Sequence, residues 1–161
     1  MDKEPMTRVG YEKITSELEF LKNTERPETV IALDEARQLG DLKENAEYHA
    51  AKDKLALIDA QIAELGSIIS KAVIIDPESL PHDRISFGST VELLDVDTEE
   101  EFIYAIVGGV ESNADNGLIS FNSPLAKQLL GKEEGDEVEA TLPGGKKTFE
   151  ILNVTYKELD L

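Results

Sequence analysis

The sequence has no cysteine and no tryptophan among its 161 residues, so disulfide frameworks, thiolate nucleophiles and thiolate metal sites are excluded at once. Histidine is nearly as scarce. With only His49 and His82 there is no His/Cys metal cluster and no Ser/His/Asp arrangement, and no glycine-rich phosphate loop stands in their place. Long apolar runs are missing too: the uninterrupted ones are a few residues, against the roughly 20 that a membrane helix needs. The opening MDKEPMTRVG lacks the apolar core of a secretory signal, so the cytoplasm is the expected compartment, and no membrane partner is expected. Bases are short as well. Sixteen stand against 34 acids, a net charge of −18 that repels phosphate backbones over most of the surface and argues against a broad nucleic-acid groove.

What is present divides into two halves. Residues 1–75 carry 15 acids and 10 bases, whereas residues 76–161 carry 19 acids and 6 bases, so the halves face different partners. From Tyr11 the apolar residues Ile14, Leu18 and Leu21 follow at helical steps, and Val30, Leu33 and Ala36 resume the stripe after Pro27. Pro27 fits either the first turn of a renewed helix or a kink in a continuous one, and Gly40 is a suitable stop. Tyr48, Ala51, Leu55, Ile58, Ile62, Leu65 and Ile69 then alternate steps of three and four, which is a heptad seam. Two seams joined around Gly40 predict an antiparallel coiled-coil hairpin with GDLKEN at its tip. Past AVIIDPESLP the period becomes two, in STVELLDVD, EEFIYAIVGG and KTFEILNVTY, with one short helix in SPLAKQLLG between Ser123 and Gly131. The fold class is therefore α+β: a hairpin domain over 1–76 and a compact antiparallel-sheet domain over 77–161.

At the tip, Asp41 and Glu44 have capping-box spacing ahead of an apolar-periodic helix, which would satisfy early backbone N–H groups. The same two carboxylates could supply oxygen ligands to Mg²⁺, but they could not build a tight site alone, so a metal would need another macromolecule to complete its shell. Both readings stand on the residues themselves. His49, one past the Tyr48 seam position, reads as a surface or packing residue rather than a ligand.

The run ARQLGDLKENAEYHAAKDK, residues 36–54, resembles the tip signature of the bacterial Gre transcript-cleavage factors. SFNSPLAKQLLGKEEGDEV, residues 120–138, is similar to that family's second signature. The likeness extends to GYEKITSELEFLK, to Arg26-Pro27-Glu28 and to the closing PGGKKTFEIL. It implies a hairpin inserted through the secondary channel of bacterial RNA polymerase and an FKBP-like second domain docked at the channel rim. In the family the tip acids, here Asp41 and Glu44, help hold an Mg²⁺ shared with the polymerase active centre, and the polymerase hydrolyses the backtracked RNA. The factor is then no enzyme, binds no metal in isolation, and is expected to be a monomer. By the same resemblance Arg37 and Lys52 match a small basic patch beside the RNA 3′ end, to which Lys43 and Lys54 could add. Asn45 and Tyr48 support the tip, and Ser123, Pro124 and Leu125 form a docking turn. The narrow basic patch points to the GreA type over the GreB type. Three rivals are a channel-binding inhibitor of the same fold, a proline isomerase resting on fold alone, and a plain coiled-coil adaptor in which the tip acids only cap.

Overall fold

The computed structural model describes residues 3–159 and Leu161. Two compact units emerge, a hairpin over Tyr11–Ala72 and a sheet unit over Val73–Leu161 that also takes the segment ending at Gly10.

In the hairpin, α1 (Arg8–Phe20) and α2 (Arg26–Gln38) form one arm and α3 (Ala46–Lys71) the other. Leu21–Glu25 joins α1 to α2 as a π-type turn in which the Arg26 N–H reaches back to the Leu21 carbonyl, and the backbone stays helical on both sides. The cause sits just downstream: Pro27 lacks an N–H and its ring crowds the carbonyl four residues before it, and a widened turn relieves both problems without ending the helix. Ile14, Leu21, Thr29, Ala36, Ala51 and Ile58 are buried along the seam. Towards the tip the buried seam positions are the small residues Ala36 and Ala51.

In the sheet unit, β3 (Thr90–Asp95), β4 (Glu101–Val107), β5 (Leu118–Ser120), β6 (Glu137–Leu142) and β7 (Gly145–Thr155) form a sheet of order β5-β4-β3-β7-β6. Alternate residues Val91 and Leu93, with Val138 and Ala140, face inward with Phe149, Ile151 and Ile106. They pack against α4 (Pro124–Leu129), whose Leu125, Ala126 and Leu129 are buried. A bulge between Glu92 and Leu93 shifts the register of β3 on β7.

Three features depart from the sequence reading. The sheet is not wholly antiparallel: β5 runs parallel to β4, because two 3₁₀ turns at Gly109–Glu111 and Ala114–Asn116 carry the chain back before it re-enters the sheet. The hairpin does not begin at the start of the chain. A small sheet pairs β1 (Glu4–Met6) with β2 (Ala72–Ile74), and the Thr7 N–H and hydroxyl both donate to Glu111 Oε1 at 2.6 Å. These bonds place the first residues with the sheet unit, and a Cβ at Gly10 would collide with the Glu111 carboxylate. Three-residue strands are too short to leave a countable period, so nothing in the sequence pattern marks them. Third, the start of α3 is not capped by Asp41 and Glu44.

Candidate functional site at the hairpin tip

The tip is built by an asparagine. Asn45, in extended conformation, is the cap of α3: its Oδ1 accepts from the Tyr48 N–H at 3.0 Å. Its Nδ2 donates to the Ala36 carbonyl at 2.6 Å and, more weakly, lies 3.4 Å from the Gly40 carbonyl. One side chain thus satisfies the beginning of one helix and the end of the other. The sequence resemblance placed Asn45 in the tip without indicating this double bond.

With the cap supplied by Asn45, Asp41 and Glu44 are released from that duty. Gly40 and Asp41 both adopt left-handed backbone, at φ 79° and 43°. Glycine does so freely, and aspartate is among the few other residues that tolerate it. The chain then turns with the Glu44 N–H donating to the Asp41 carbonyl at 3.2 Å. Both carboxylates are exposed, and among the described residues neither makes a hydrogen bond or ion pair. No group of three His, Asp or Glu side chains gathers to hold a metal among the described residues. Two free hard-oxygen donors fit part of an Mg²⁺ shell, which ordinarily keeps waters and takes one or two protein carboxylates.

The remaining residues named from sequence fall on two flanks and one distant turn. Arg37 and Lys52, each one residue after a buried seam alanine, project to the same side of the antiparallel pair, and both are exposed. Arg37 Nη1 lies 3.8 Å from Asp34 Oδ1 in an exposed i,i+3 pair that holds it only weakly. Lys54 instead lines a shallow groove with Ala32, Leu39, Glu47 and Ala50, away from that flank. Lys43 is exposed within the tip loop. Tyr48 is half-buried at the seam, and its ring meets that of His49 edge-on at 5.4 Å. In the sheet unit, Ser123 Oγ caps α4 by accepting from the Ala126 N–H at 3.3 Å. Leu125 is committed to the core, so Pro124 is the exposed member of that turn.

These elements present two exposed carboxylates on the loop that joins the two helical arms. No helix among the described residues is long and apolar enough to cross a membrane.

The family model described as "Transcription elongation factor, N-terminal" matches residues 4–74, and that described as "Transcription elongation factor, GreA/GreB, C-term" matches residues 80–156. The chain is 77% identical over 161 residues to the transcription elongation factor GreA of Aliarcobacter butzleri, covering all of both chains. It is 59% identical to the GreA of Nautilia profundicola, covering 99% of this chain and 98% of that one. A solved structure of the GreA factor homolog Gfh1 of Thermus thermophilus is 32% identical, covering 95% of this chain and 99% of that chain, with a TM-score of 0.45. Its hairpin and sheet units each match a family model and its whole length aligns with GreA proteins, and on those grounds the chain belongs to the GreA/GreB family of bacterial transcription elongation factors, as a GreA-type member.

Proposed function

We propose that this chain inserts its hairpin tip into the secondary channel of RNA polymerase and stimulates the polymerase's own hydrolysis of backtracked nascent RNA in the cytoplasm. The observation that carries this reading is the pair of unpartnered carboxylates at Asp41 and Glu44, on a loop whose helix cap is provided by another residue. Acids needed only for capping would be bonded to backbone N–H groups; these two are available to an outside partner.

Asp41 and Glu44 would hold an Mg²⁺ shared with the polymerase, which when bound neutralises charge at the scissile phosphodiester and makes a water more acidic. The chain's own part is positional. The Asn45 bonds fix the loop ends, and Arg37 and Lys52 offer positive charge to the RNA beside the acids. Pro124, exposed at the start of α4, supports docking of the sheet unit at the channel rim. The factor alone leaves RNA intact, because two carboxylates do not complete a two-ion site.

The test is cleavage of RNA in a stalled, backtracked polymerase complex. Wild type should stimulate it. Asp41→Asn and Glu44→Gln should each lower stimulation by about 100-fold, a drop typical of losing a group that stabilises transition-state charge, while still competing with wild type for the polymerase. Asparagine tolerates the left-handed backbone at position 41, so stability should change by no more than about 0.5 kcal/mol. Wild-type stimulation by both variants would overturn the metal-delivery reading, and slowed elongation by wild type without cleavage would favour the inhibitor.

A further inference from the structure

The loop that carries the acids has few restraints. Every residue from Arg37 to Glu44 is exposed, two successive left-handed residues lie within it, and its internal ties are two turn bonds, from the Gly40 N–H to the Arg37 carbonyl and from the Glu44 N–H to the Asp41 carbonyl. Asn45 fastens its two ends. Its middle is reached from α3: His49 Nε2 lies 3.2 Å from the carbonyl oxygen of Lys43, one of the two residues between the acids.

His49 is the fourth residue after the Asn45 cap, and helical side chains lean back towards the N-terminus, which brings its ring over the loop. A carbonyl oxygen only accepts, so Nε2 carries the proton. That condition is met by the Nε2–H tautomer. The Tyr48 ring meets the imidazole edge-on, inclined at 66°.

We infer that His49 is a positioning residue: its Nε2–H holds the Lys43 carbonyl, and through that bond it sets the separation and direction of the Asp41 and Glu44 carboxylates. This rests on the proposal that those carboxylates act in the polymerase active centre. Two ligands three residues apart on an unfastened loop meet a shared ion in a productive geometry only part of the time. A second bond to the loop raises that fraction without touching the ion or the RNA.

Two variants of the full chain test it. His49→Phe keeps an aromatic ring against Tyr48 and removes the donor; His49→Gln restores an N–H donor on a flexible stem. In the isolated protein, amide ¹⁵N relaxation should show lower order at Lys43 and Glu44 in His49→Phe than in wild type, with His49→Gln in between. In the cleavage assay, His49→Phe should lower the maximal rate at saturating factor by about tenfold, the lower end for loss of a residue that orients metal ligands. The factor concentration for half-maximal effect should be unchanged, the Mg²⁺ requirement should rise, and His49→Gln should recover most of the rate.

Unchanged loop order in His49→Phe would overturn the inference, as would a loosened loop with a wild-type cleavage rate. A loss that appears only in the half-saturating concentration would overturn it too, by moving His49 to the docking surface. If wild-type factor itself fails to stimulate cleavage, the functional proposal falls, and with it the role in catalysis, while the relaxation comparison still decides whether His49 holds the loop.

Discussion

The two units bury their apolar residues in opposite ways. The sheet unit closes a core on many sides: Phe149, Leu93, Ile106, Leu129 and Ile151 are almost wholly removed from water and touch strands and helix together. The hairpin has a line instead of a core, with Ile58 the most buried large residue of a seam in which Leu33, Leu55, Ile62 and Leu65 are only half-buried. A core concentrates stability in a few shared side chains, whereas a seam distributes it along its length. The first arrangement resists loss of any one contact through its neighbours. The second lets each turn of the hairpin contribute separately.

The largest expected effect is therefore in the sheet unit. Phe149→Ala should cost about 3–5 kcal/mol, since the ring lies against Phe102 and the core with no open side to collapse into. Urea denaturation would measure it. Ile58→Ala should fall near the low end of the range of about 2–5 kcal/mol for such truncations, because two helices can close over the gap more readily than a sheet and helix can. If loss of helical circular dichroism showed Ile58→Ala to be as costly as Phe149→Ala, the contrast between line and core would be broken.

Smaller effects sharpen the picture at the tip. Asn45→Ala should cost about 1 kcal/mol of stability through the lost cap. Asn45→Asp keeps an acceptor for the Tyr48 N–H but removes the donor to the Ala36 carbonyl. It should retain most of the stability and still impair RNA cleavage, which separates capping from loop fastening.

The acid limb of stability should belong mainly to the sheet unit. The Asp97 N–H, before the bonds from Thr98 and the nearby Lys147 ammonium, holds the Asp95 carboxyl below its ordinary value against the opposing effect of burial. A depressed folded pKa means stability that is present above the unfolded value near 3.9 and lost as pH falls through the lower folded value. Asp95→Asn should flatten that limb in acid denaturation; an unchanged acid midpoint would remove Asp95 from the account.

The smallest effect is expected at the exposed pair of Arg26 Nε and Asp59 Oδ1, 2.7 Å apart across the hairpin. Arg26→Ala should lower the melting temperature less than any variant above, and added salt should erase the difference.

These contrasts follow how much of the molecule was legible before its structure. Both helical seams, the strands β3, β4 and β7 and the Ser123-capped α4 stood out because each repeats a pattern over enough residues to be counted. β1, β2 and β5 are three residues long, and their pairing depends on distant partners. At the tip, Asp-x-x-Glu spacing mimics a capping box, and only the backbone reveals that the left-handed Asp41 hands the cap to Asn45. The His49 contact left no signal, since a histidine four residues into a helix carries no mark of where its ring turns.

The pairing of β1 with β2 has a metric consequence. The chain departs for the hairpin after one of these strands and returns on the other, so both arms start from a single pair of threads. Such an excursion is a ruler. Removing seven residues from each arm deletes two turns and preserves the heptad phase, leaving the strands and the loop bonds intact, and withdraws the tip by about 10 Å. The length of the hairpin is thus encoded in a count of heptads, separately from the residues of its loop.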